Sequence, residues 1–332
     1  MTVIWGVNYS IVKVALHDIP PLAFNSLRLG LASLLFLATI ALARRTSDGP
    51  EVGEPDGPTG GDETPVRPSG VRTLGASDGD AAPIALFKRT HIPGRDWLLI
   101  AGFGLIGHFI YQLCFLFGLD KTTAANSALI LGCSPVVVAL FSAALGHERV
   151  VPLHWVGAGL SVVGIYAVVG RGAHLDPATL TGDLLTIGGL FCWGIYTVGV
   201  RRLLDRHSPL EVTGYSMAIG AVPFVLLGLR DLSDLAWPAV PGVAWAALVF
   251  SGVFALFVAY LIWYVAVQRI GNIRTAMYSN LTPVSALVFA VTWLGEQLTR
   301  TEIAGAVAIL AGMAITRLVR TARARAAAPA EE

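Results

Sequence analysis

The residues most able to do chemistry in this chain are a few cations and polar groups embedded in apolar runs. Lys13 stands inside the run 2–17, with Asn8 and Tyr9 about one helical turn before it. A cation in such a run turns toward protein or water rather than lipid. Lys13 therefore either meets an anionic group, such as a substrate carboxylate, or snorkels to an interface. Arg28 lies one or two turns into the next run, 22–43. Its guanidinium can grip a carboxylate with two hydrogen bonds, or it can lock its helix to a neighbouring carbonyl or to Glu296, with a structural or gating role. His108, Tyr111 and Gln112 share one helical face at i, i+3 and i+4. No Asp or Glu stands in the middle of any run, so His108 is the mid-run group that titrates nearest neutrality. It is a candidate for coupling transport to protons; a hydrogen-bonded interior histidine is the competing reading.

A second set pairs prolines with polar clusters. Asn126 and Ser127 precede Pro135, and Tyr278, Ser279, Asn280 and Thr282 precede Pro283. Each proline removes a helix hydrogen bond and frees a carbonyl near its cluster, as a gate or cavity wall requires. The polar side chains can also simply hold helices together. Trp5, Trp193, Tyr196, Tyr260, Trp263 and Tyr264 could wall a cavity or stack on a cation, with gating equally open for Trp5 and Trp193, read as lying at cytoplasmic helix ends. Glu148 and Glu296 end their runs, where capping or loop pairing is expected. Cys114, Cys133 and Cys192 lie in apolar runs at no metal-ligand spacing and read as small hydrophobes. No metal or organic cofactor is implied, and no phosphate-loop motif for ATP occurs. His147, Glu148 and His154 are the only acid–base cluster, without ligand spacing, which leaves little for a polytopic enzyme acting on lipid-linked substrates.

These groups must be held by membrane-spanning helices. The 332 residues are 55% hydrophobic and 14% charged, against about 25% charged in soluble domains, and the mean hydropathy is +0.67. A net charge of +1 argues against a nucleic-acid partner. Apolar runs fall at about 2–17, 22–43, 96–118, 124–145, 152–170, 182–201, 210–229, 241–266, 273–294 and 301–318. Nearly all reach the length of a bilayer span. The short first run predicts either a start upstream of Met1 or a tilted helix over a thinned bilayer. No cleavable leader is expected, because Lys13 sits inside that run.

The runs repeat. Trp5-Gly6 returns as Trp193-Gly194 and Pro21-Leu22 as Pro209-Leu210; Pro135 with Glu148 returns as Pro283 with Glu296, and Gly157 and Gly164 match Gly305 and Gly312. Ten helices in two copies of five make the second copy inverted, an architecture used by secondary transporters. The first repeat spans 1–170 and the second 180–318, followed by a basic cytoplasmic tail, 319–332. Residues 46–93 are rich in Gly, Pro, Asp, Glu, Thr and Ser and are expected to be a disordered cytoplasmic insertion within the first repeat. With the N-terminus inside, seventeen Lys and Arg fall in cytoplasmic segments and four in outer loops. The positive-inside rule then puts both termini in the cytoplasm.

The Trp-Gly of the first run, the Pro-Pro followed by Arg28, and the duplicated Pro-to-Glu spacing resemble the EamA-type permeases of the drug/metabolite transporter superfamily. The resemblance covers the chain apart from the insertion and tail. It implies a ten-helix permease of the bacterial inner membrane with a central cavity, commonly exporting amino acids or other small metabolites. A drug or cation exporter is the nearest alternative; it would need an acidic residue deep in the cavity.

Overall fold

A computed structural model describes residues 1–47, 91–145, 156, 159–160, 163–164, 177–270, 272, 275, 278, 281–301 and 303–312. Every regular element among them is helical. The helices are α1 (Thr2–Ala15), α2 (Pro21–Ser47), α3 (Gly94–Lys121), α4 (Ala124–Ala144), α5 (Pro177–Gly199), α6 (Pro209–Asp234), α7 (Gly242–Ile270), α8 (Leu281–Trp293) and α9 (Ile303–Gly312). Among the described residues six stretches are long and apolar enough to cross a membrane: α2, α3, α4, α5 with the turn that follows it, α6 and α7. The expected insertion 46–93 lies almost wholly outside the described residues, as do most of the run 152–170, Glu148 and Asn280.

The distribution of side chains is inverted relative to a water-soluble bundle. Leu34, Leu98, Val222 and Leu226 are each more than half exposed. Asn25, Arg28, His108, Asn126 and Ser216 are at most 2% exposed. Lipid rewards an apolar exterior, and polar groups must then find partners inside. Small residues let the helices approach. α2 and α6 pack along much of their length, with Gly214 against Phe36 and Gly228 against Ser26. Gly6 seats α1 on α8 at Ser285 and Thr282, and Gly194 seats α5 on α4 at Val137 and Phe141.

Three interruptions shape the interior. α4 breaks at Cys133 and restarts at Ser134 with Pro135 in its first turn, because proline cannot accept the approach of a preceding turn or donate a helix bond. α3 contains a π-helical segment at Leu105–Ile110, and α7 another at Ser251–Val258. In the first, the Tyr111 N–H donates to Ile106 O; in the second, the Ala259 N–H donates to Phe254 O. Such i→i−5 turns are rare and often mark functional positions.

Candidate functional site: a central cavity walled by Arg28 and four aromatic rings

The interrupted helices converge on one cavity with about 70 Å³ open to the centres of water-sized groups. One water needs roughly 10–15 Å³ by this measure, so the space suits a few heavy groups. α1 supplies Trp5, Asn8 and Tyr9, and α2 supplies Arg28. α3 contributes Tyr111, Gln112 and Phe115, the first residues after its π segment. The break in α4 presents Leu131, Gly132 and Ser134; Thr282 of α8 lies across from them. A Cβ on Gly132 would strike the Pro283 ring, so the two proline-marked helices meet here. α5 adds Trp193, and α7 adds Ala255, Leu256, Tyr260 and Trp263.

Arg28 dominates the electrostatics. The residue is 1% exposed, yet its guanidinium borders the cavity. Nε donates to Asn25 Oδ1, Nη1 to Ser251 Oγ at 2.8 Å and Nη2 to Gln112 Oε1 at 2.6 Å. Phe24 and Phe115 lie 5.6 and 5.5 Å from its central carbon. All three acceptors are neutral, and no carboxylate among the described residues forms an ion pair with it. A buried charge with only neutral partners is costly.

Opposite Arg28, four rings pack edge to face and at a tilt. Trp5 lies 5.9 Å from Trp193, 5.9 Å from Tyr260 and 5.3 Å from Trp263. Trp193 lies 5.5 Å from Tyr260 and 5.8 Å from Trp263. Trp5 Nε1 donates to Ala255 O, inside the second π segment, at 2.9 Å. Three buried polar atoms of cavity residues have no partner among the described residues: Asn8 Oδ1, Thr282 Oγ1 and Trp263 Nε1. The cavity thus offers a cation, unused donors and an unused acceptor to a small polar molecule.

Of the candidate residues, Asn8, Tyr111, Gln112 and Tyr260 come together at the cavity, with Trp5, Arg28 and Trp193. Trp193 stands well inside α5 rather than at the cytoplasmic helix end expected for it, and it touches Trp5. Pro135 and Pro283 shape the wall without lining it. Lys13 lies elsewhere. Its ammonium donates to Leu119 O at 2.8 Å, Asp120 O at 3.3 Å and Thr122 O, closing the carbonyl end of α3. His108 is buried behind Tyr260, 5.6 Å ring to ring. Its Nε2 lies 2.9 Å from Tyr196 Oη, which lies 2.8 Å from Ser216 Oγ. Tyr196 belongs to that network and not to the cavity wall.

Asn126 hydrogen-bonds Asp183 at 3.3 Å, and Thr122 Oγ1 donates to the same carboxylate at 2.6 Å. Asp183, fully buried near the start of α5, escaped notice because it sits at the edge of its apolar run. Tyr278 is 60% exposed. Glu296 accepts from the Ala124 and Ala125 N–H groups at 2.9 and 3.1 Å and so caps α4; it forms no bond to Arg28. Trp263 lines the cavity as one of the aromatic wall candidates, whereas Phe115 and Ser251 carry more of the site than their positions in apolar runs indicated.

Over 339 residues the chain is 25% identical to a "Probable amino-acid metabolite efflux pump" of Salmonella typhimurium (strain LT2), covering 97% of this chain and 95% of that one. It is 29% identical over 213 residues to the "Uncharacterized transporter YyaM" of Bacillus subtilis (strain 168), covering 63% and 70%. A "Probable terminal-alkyne amino-acid exporter" of Streptantibioticus cattleyicolor is 28% identical over 236 residues, covering 71% and 78%. A crystal structure at 19% identity shares the fold, with a TM-score of 0.62 over 96% of this chain and 94% of that one. The model of the EamA-like transporter family matches residues 65–170 and 180–318. This chain, a multi-pass membrane protein, therefore belongs to the EamA-like transporter family.

Proposed function

We propose that this protein exports amino acids or similar small carboxylate-bearing metabolites across the bacterial inner membrane, by alternating access at the Arg28 cavity. The observation that carries the proposal is the buried, cavity-facing Arg28 with neutral partners only. A cargo carboxylate supplies the missing countercharge through paired charge-assisted hydrogen bonds. The Trp263 N–H is a further donor for the same group, while Asn8 Oδ1 and the aromatic faces receive an ammonium. A cationic drug finds no such welcome, since no carboxylate is among the lining residues. The amino-acid exporters among the relatives point the same way.

The ten-helix inverted-repeat architecture, with both termini cytoplasmic, belongs to the same proposal, as do the repeat limits 1–170 and 180–318. Its support is the placement of equivalent features. The two π-type hydrogen bonds, Tyr111 to Ile106 and Ala259 to Phe254, are separated by 148 residues, as are Pro135 and Pro283. Gly6 and Gly194, a repeat pair, each seat a helix against a partner near one of those prolines. Repeat-related halves enclosing a site allow the two sides to open in turn.

The test is metabolite profiling of the medium of cells producing the intact chain, Arg28→Gln or Arg28→Lys at matched membrane levels. The expected result is a carboxylate-bearing metabolite enriched outside with the intact chain and not with Arg28→Gln. Arg28→Lys should retain export at a raised half-saturating concentration, because a single ammonium replaces the fork. Equal enrichment by the intact chain and Arg28→Gln would overturn the site; enrichment of a cationic compound alone would favour the drug-efflux reading.

A further inference from the structure

Arg28 does more than face the cavity. Its two terminal nitrogens reach two different helices, each at a π-helical segment. Nη1 donates to Ser251, the first residue of the segment Ser251–Val258 in α7. Nη2 donates to Gln112, the second residue after the segment Leu105–Ile110 in α3. The two segments pack chiefly against other helices: the first on α5 and α6, the second on α1 and α2. One guanidinium therefore bonds to both helices that carry a π segment. A π turn carries one residue more than the α turn it replaces, and its conversion to α geometry shifts the register of everything beyond it. Beyond these segments stand Gln112 and Phe115 on one side and Tyr260 and Trp263 on the other, all lining the cavity.

We propose that Gln112 and Ser251 are positioning residues that tie the two π segments to Arg28 as one unit, and that a cargo carboxylate arriving at Arg28 unties them. This rests on the reading of Arg28 as the carboxylate anchor. A carboxylate outcompetes a hydroxyl and an amide for a guanidinium, since its hydrogen bonds are charged at both ends. Cargo that takes Arg28 thereby releases Ser251 and Gln112 together, and both segments become free to change register in the same event. Molecules without the carboxylate leave the tie intact, so binding and helix movement are linked through a differential contact, as any ligand-driven change requires.

The experiment is amide hydrogen exchange on the full chain in lipid nanodiscs without cargo, comparing the intact protein, Ser251→Ala and Gln112→Glu. Ser251→Ala cuts the tie at α7. The expected result is faster exchange across Leu105–Ile110 in α3, on the order of tenfold, the measure of one lost hydrogen bond to a charged group. Gln112→Glu places a carboxylate on α3 within reach of Arg28, so that it competes with Ser251 as a cargo carboxylate does while keeping the α3 link. Exchange across Ser251–Val258 should then rise by a similar factor while Leu105–Ile110 stays as protected as before. A further link between α3 and α7, the ring contact of His108 with Tyr260, is untouched by either substitution. Changes confined to the substituted helix in Ser251→Ala, or an unaltered Ser251–Val258 in Gln112→Glu, would overturn the tie. Either variant decides the matter alone should the other fail to fold. Loss of the tie beside Arg28-dependent export would leave the cargo reading standing; loss of both would remove the anchor itself.

Discussion

Two cations inside apolar runs, Lys13 and Arg28, have opposite environments. Lys13 meets three backbone carbonyls at the end of α3, where the helix dipole favours a positive charge. Its role is to join α1 to α3. Lys13→Ala should lower the unfolding free energy by roughly 1–3 kcal/mol with the half-saturating cargo concentration unchanged, as thermal denaturation and transport kinetics in proteoliposomes would show. His108 is enclosed by Tyr196, Ser216 and Tyr260 and sits behind the cavity wall. Burying an imidazolium there without an anionic partner is costly. His108→Gln is therefore expected to leave the response of export to an imposed pH difference unchanged; loss of that response would restore the proton-relay role that its mid-run position suggests.

At the scale of the element, helix ends and helix breaks do the positioning. Glu296 takes the first two free N–H groups of α4 and fixes the N-terminal end of the helix whose break lines the cavity. Replacing it with Gln keeps an acceptor but loses the charge, and should cost about 0.5–2 kcal/mol in stability. Glu296→Ala should cost more, measurable by the midpoint of chemical unfolding. The glycine contacts are stricter. A Cβ at Gly6 would come within 2.5 Å of Ser285 Cβ and 2.9 Å of Thr282 O. Backbone cannot retreat as a flexible side chain can, so Gly6→Ala must push α1 from α8 and widen the cavity beside Asn8. Its expected signature is reduced transport at a stability lowered by about 1–3 kcal/mol, the usual penalty of overpacking. The repeated Trp-Gly pair made both glycines visible in the sequence; that their partners sit near repeat-related prolines was not.

For the whole molecule, the positive-inside asymmetry predicts which side each loop faces. In a chain whose Cys114, Cys133 and Cys192 are replaced, Ser47→Cys should react with a membrane-impermeant maleimide only after the cells are opened. Ser233→Cys, at the far end of α6, should react in intact cells. The reverse pattern would invert the orientation, and reaction of both from one side would break the repeat topology. By itself the sequence determined the membrane class, the apolar runs and the break of α4 at Pro135, because each depends on composition or on local spacing along one helix. It also marked Arg28, Asn8 and the aromatic residues as unusual. Only the tertiary structure decided which of these share a cavity. Lys13 and Arg28 look alike as lone cations in lipid, and what separates them is the chemistry of acceptors 106 and 84 residues away. Contacts at that separation follow from how helices cross, and no period along the chain encodes them. The π segments are legible only in three dimensions for the same reason: one extra residue in a turn leaves composition unchanged while redirecting every side chain beyond it.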